Sequence, residues 1–237
     1  MQSNKSSNKS TNAISKYPAG SFLEFIHISV PLILSFLSVS LMIFTDRFFL
    51  ANYSIDAMNA VAAASTAGFI LFTFTMNIAS IAEVFVGKHN GAEEYEKAAE
   101  PVWQMIWFSF ASIIIFWPTA IFATNLLIPE NLQKFGSPYL KLMLLFGSVT
   151  PLISALHAFF AGIGKTKIIF LTSIIGNLIN IILDYFFIFG YKNIIPASGS
   201  IGAAIATITA QICQVIILFF IFLIKIIVKF LKHANSN

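Results

Sequence analysis

Charge is scarce in this sequence: Asp, Glu, Lys and Arg together supply 10% of its residues. A water-soluble fold covers its core with charged side chains, and 57% hydrophobic residues with 26 phenylalanines in 237 positions leave too few of them to do so. A soluble globular domain is thereby excluded, and a membrane protein is what remains. Cysteine is nearly absent, and the lone Cys213 rules out an intrachain disulfide. No second histidine or cysteine stands at ligand spacing from His157, so the sequence makes no case for a bound metal. The period-2 alternation of a porin strand is missing, as is any internal repeat. No nucleophile, base and orienting group recur at usable spacing, and an enzyme is not expected. "GIGKT" at 162–166 is a false phosphate loop, because Phe159 stands where that pattern requires its first glycine.

What is present is length in the apolar runs. Crossing a hydrocarbon layer about 30 Å thick takes about 20 helical residues, and six runs qualify: 25–44, 60–86, 102–128, 139–164, 168–190 and 201–230. Backbone in lipid must satisfy its own hydrogen bonds, so these runs predict helices. The expected fold class is all-α, a polytopic bundle of six transmembrane helices with short loops and no soluble domain. Residues 1–20, rich in Ser, Asn and Lys, read as a disordered cytoplasmic tail, residues 21–231 as the six-helix lobe and residues 232–237 as a second cytoplasmic tail.

Lysine placement orients the bundle. Lys5, Lys9, Lys16, Lys88, Lys97, Lys165, Lys167, Lys225, Lys229 and Lys232 fall on one side, and Lys134, Lys141 and Lys192 on the other. The positive-inside rule then puts both termini in the cytoplasm, in keeping with an even number of spans in the inner (plasma) membrane. The net charge of +4 is a topology signal, with no folded basic surface for nucleic acid. Small residues repeat at four-residue spacing in Ala60, Ala64 and Gly68 and in Gly202, Ala206 and Ala210, as close helix contacts require. Pro31, Pro118 and Pro151 fall inside spans, where each is expected to kink its helix. Trp103 and Trp107 read as interface anchors.

Polar residues inside these runs carry the functional signal. Asn177, Asn180 and Asp184 are three and then four residues apart, so they stack on one helical face. An ionised Asp at a helix centre costs about 2.5 to 3.5 kcal/mol on insertion scales, so it is expected to face the bundle interior and find partners. For Asp46 two placements stay open: a stop signal at the headgroup level beside Arg47, or burial in a helix that Phe48, Phe49 and Leu50 prolong. Glu83 reads as an interfacial, solvated carboxylate, Asn77 as a helix-to-helix hydrogen bond, and His157 as a packed, hydrogen-bonded histidine.

Residues 31–66, "PLILSFLSVSLMIFTDRFFLANYSIDAMNAVAAAST", resemble the first-span signature of the multidrug and toxic compound extrusion (MATE) family. "GNLINIILDYFFIFG" and "GSIGAAIATITAQ" resemble its fifth and sixth helices, and "VGKHNGAEE" its second cytoplasmic loop; the likeness spans about residues 25–225. It implies a cation-coupled antiporter that exports small organic, amphipathic compounds against inward flow of protons or sodium, built from two six-helix lobes around a cavity. It also implies a cation-binding set of Asp46, Asn180 and Asp184, with Thr207 a weaker member. Asp46 and Asp184 would then share a proton or a sodium ion, and its uptake would bend the first helix near Pro31. No cofactor beyond that coupling ion is implied. Expected partners are the organic substrate, membrane lipid, and a second lobe or a second copy of the chain. The sequence departs from the family at Arg47, where a neutral residue is usual, at Tyr185, where proline is common, and in stopping after six spans. Half of a lipid-linked sugar flippase and a nontransporting membrane subunit or fragment are the competing readings.

Overall fold

The computed structural model describes residues 21–94, 97–192 and 194–234, with side chains as far as residue 225. The expected tail over residues 1–20 lies outside these, as do the side chains of Lys229 and Lys232. Among the described residues the chain is helical apart from its links and one isolated backbone bridge, Tyr191 to Ile195.

The first helix, Phe22–Tyr53, starts at Ser21, whose hydroxyl accepts the Glu24 amide at 3.2 Å. It runs past the expected end at Phe44 because Asp46 and Arg47 point into the bundle and do not halt it. Ser54 ends it and opens the next helix: its amide donates to the Leu50 carbonyl at 2.8 Å and its hydroxyl accepts the Ala57 amide at 3.4 Å. The second helix spans Ile55–Gly91, with one turn broken at Ile81. The third, Lys97–Leu127, carries a π-turn over Thr119–Ala123 immediately after Pro118, which has no amide hydrogen to offer the ladder.

The fourth span is two helices, Glu130–Leu145 and Val149–Gly162, meeting at 49°. Five spans are single and the sixth crossing is this bent pair, so the expected count holds with one crossing broken. Gly147 sits at the break against the Phe116 ring, which would collide with a Cβ there. Pro151 lies in the first turn of the second segment, where amides have no intrahelical acceptor. The bend falls within one turn before it, in keeping with the kink expected in this span. At Pro31 the first helix runs on without a break. The fifth helix is Thr166–Phe189 and the sixth Gly199–Ala234.

Two apolar clusters hold the bundle. One gathers Val86, Val102, Phe159, Ile169 and Phe222. The other gathers Leu50, Val61, Phe116, Leu140, Ile188 and Ala203. Along the fifth helix, residues 173–184 lie between the points where it joins each cluster, and the same holds for Thr207 and Gln214 on the sixth. The small-residue stripes are buried as expected, and Gly202 brings the sixth helix onto the Phe187 carbonyl. The first helix is the bare one: only Glu24, Pro31, Ser35 and Leu50 are buried along it, and Phe36, Leu41 and Phe44 are exposed.

Candidate cation site

The stripe on the fifth helix is buried along its length, with Asn180 and Asp184 both at 0% exposure. Each member meets a different neighbour. Asn177 Nδ2 donates to Ser38 Oγ of the first helix. Asn180 Nδ2 donates to Thr207 Oγ1 of the sixth at 3.3 Å, and Thr207 Oγ1 donates to the Ala203 carbonyl at 3.0 Å. Asp184 faces Asp46 of the first helix, the two carboxyl groups lying within hydrogen-bonding reach of each other. Contacts from Ser38 to Asp46 climb in step with those from Asn177 to Asp184, so the two helices run parallel.

This geometry resolves the placement of Asp46: it is in the bundle, half-buried, against a fully buried partner. Asp46 Oδ1, both oxygens of Asp184 and Asn180 Oδ1 are buried without a hydrogen-bond donor. Buried carboxylate oxygens without donors are costly, and a shared proton or a hard cation supplies what they lack. The Asn180–Thr207 and Asp184–Asp46 contacts lie one turn apart on the same face of the fifth helix.

Two neighbours, Ser65 and Tyr139, had no signal in the sequence reading. Arg47 Nη2 donates to Ser65 Oγ at 2.9 Å, and the buried Tyr139 lies beside Ser65 and both acids. A serine in an alanine-rich face and a tyrosine at a span boundary look like packing residues, although a buried tyrosine hydroxyl wants a partner. Arg47 makes no ion pair with its neighbour Asp46, whereas Glu94 in the second link pairs with His89 and Lys97.

Other expected residues fall as follows. His157 is packed, 3.4 Å from Gln214 Nε2, which also reaches Ser173 at 3.4 Å. Glu83 is exposed. Asn77 is exposed too, and its side chain makes no bond to another helix, so that expectation is corrected: its face of the second helix is turned outward. Trp107 is exposed and Trp103 packs edge-on against Phe219 and Phe222.

Residues 31–186 match the sequence model of the MatE family. The chain belongs to the MatE family. Relatives include a probable multidrug resistance protein NorM of Oceanobacillus iheyensis, 30% identical over 188 residues, covering 77% of this chain and 42% of that one. The NorM of Haemophilus ducreyi is 29% identical over 197 residues, covering 81% and 42%. Among solved structures, an outward-facing multidrug resistance MATE family transporter of the MOP superfamily superposes with a TM-score of 0.67 at 17% identity, over 85% of this chain and 45% of that one. A MATE crystallised in complex with MaD5 gives a TM-score of 0.69 at 14% identity, over 82% and 44%. The chain thus has the fold of part of a MATE transporter, and it spans less than half the length of these relatives.

Proposed function

We propose that this MatE chain is one lobe of a cation-coupled exporter of drugs or other amphipathic organic compounds, with Asp46, Asn180, Asp184 and Thr207 holding the coupling proton or sodium ion. The observation that carries the reading is the meeting of the Asp46 and Asp184 carboxyl groups deep in a lipid-embedded bundle. Two unit charges 4 Å apart repel by about 4 kcal/mol at an effective dielectric of ~20. A bound cation cancels that repulsion and draws the first helix onto the fifth. The first helix is the least buried of the six and contains Pro31, so it is the element free to respond. Its movement changes the face offered to the substrate, which is how ion uptake and export are coupled.

The relatives are about twice as long, and alternating access needs a second lobe to rock against the first. A second lobe, joined to this one, carried by a separate chain or supplied by a second copy, fills that role, with membrane lipid around both. The lysine distribution supports cytoplasmic termini in the inner (plasma) membrane. No enzymatic step and no cofactor other than the coupling ion enters this reading. The competing reading is a nontransporting membrane subunit.

The test is cation-driven dye efflux from vesicles carrying the chain alone and, separately, with a co-expressed second lobe. Efflux lost in both Asp46→Asn and Asp184→Asn is the expected result. Full efflux in either variant would refute the site, and no efflux from a folded chain under any pairing would favour the nontransporting reading.

A further inference from the structure

Arg47 is the chain's one arginine among its 14 Lys and Arg residues, and it lies inside the bundle. Its Nη2 rests on Ser65 Oγ, which in turn donates to the Val61 carbonyl at 2.8 Å. Its Nη1 is buried without a partner, as are Asp46 Oδ1 and both Asp184 carboxyl oxygens. The ionisable groups gathered here are Asp46 and Arg47 from the first helix, Tyr139 from the fourth and Asp184 from the fifth, with Asp46 standing between Arg47 and Asp184. The second and sixth helices bring the uncharged Ser65 and Thr207.

A guanidinium beside ionised carboxylates in a low-dielectric interior pairs with them in preference to a neutral hydroxyl, since charge-assisted bonds are about twice as strong. Arg47 held on Ser65, with the acids facing each other, is stable when the acids share one cation, which cuts their charge from −2 to −1. The charge count agrees: two carboxylates and one guanidinium sum to −1, which a single proton or a single sodium ion cancels. A divalent ion would overshoot.

We infer that Arg47 is a tethered counter-cation, resting on Ser65 while the acid pair holds its exchangeable cation and swinging onto Asp46 and Asp184 when that cation leaves. This deepens, and rests on, the cation-site reading above. Arg47 competes with the coupling ion, limits the site to one monovalent cation, and lowers the charge of the empty site from −2 to −1.

The test measures cation affinity of the purified full chain in detergent, by sodium-dependent thermal stabilisation at constant ionic strength and by dye-monitored proton release. Removing the competitor in Arg47→Gln is expected to tighten cation binding at least tenfold. Arg47→Lys returns it toward wild type. Removing the resting place in Ser65→Ala is expected to weaken it at least threefold, an opposite sign that general loosening of the bundle does not produce. Affinity within threefold of wild type in Arg47→Gln, or no weakening in Ser65→Ala should Arg47→Gln not fold, overturns the inference and leaves the site reading standing. Both fall if the wild-type chain responds to neither ion, or responds as Asp46→Asn and Asp184→Asn do.

Discussion

Asn177 on the fifth helix donates to Ser38 on the first, about two turns before Asp184 comes up against Asp46. That bond sets the register in which the two acids meet. Little else does, because the first helix buries so few of its residues; Phe49, stacked edge-on with Tyr185 and Phe189, is the other fixed point.

The Ser38 to Asn177 pair should therefore show coupling in a double-mutant cycle with alanine. Interhelical hydrogen bonds in membranes average about 0.6 kcal/mol and reach about 1.7. The expected coupling energy is in the upper half of that range, read by unfolding in mixed micelles. A value near zero would mean that the register is held by the phenylalanines alone.

Gly202→Ala tests how closely the fifth and sixth helices approach. The added Cβ would run into the Phe187 carbonyl, which is backbone and has no rotamer to yield. Overpacking of this kind costs about 1 to 3 kcal/mol. Gly91→Ala is the matched control, since a Cβ there meets nothing within 4 Å. Thermal unfolding followed by gel filtration should show a clear loss for the first and none for the second.

Outside the membrane, Glu94 offers a pH test. His89 foremost, and then Lys97, hold its carboxyl below the ordinary 4.5. A depressed carboxyl stabilises above its unfolded value, and that contribution disappears as pH falls through the lowered folded one. The link's structure reports on it, because the Glu94 amide donates to the His89 carbonyl at 2.9 Å. Hydrogen exchange at that amide should be slower in wild type than in Glu94→Gln at pH 6. The difference should vanish in strong acid and shrink at high salt.

How much of this was legible depended on whether chemistry or shape carried the signal. Asn177, Asn180 and Asp184 announced themselves, since polar groups at helical spacing in an oily run have one economical explanation. Asp46 did not, because an acid twenty residues into a run is equally a stop signal; only contact with Asp184 decides it. Thr207 entered through family likeness alone, as threonine in a membrane helix satisfies itself on its own backbone. The break in the fourth span was half legible: Pro151 marked that span for a kink, but with both segments apolar nothing in the composition gives the 49° bend its size or its place at Gly147. Asn77 was misjudged because polarity gives no face; its neighbours Met76 and Phe74 are exposed beside it.

Thr207 is the member of the site whose role is easiest to isolate. Its Oγ1 accepts from Asn180 Nδ2, and Asn180 Oδ1 has no donor. Thr207→Val keeps the shape and removes the oxygen, leaving both ends of a fully buried amide without a partner. In water-soluble proteins that costs about 1 to 3 kcal/mol. A helix dissociated within lipid has no water to return to, so about 1 kcal/mol or less is the expected loss here. Cation affinity is expected to fall further than stability does, by about tenfold, because an oxygen of the binding set is gone. Thr207→Ser should restore both. Unchanged sodium and proton binding in the valine variant would remove Thr207 from the site and leave it a packing residue between the fifth and sixth helices.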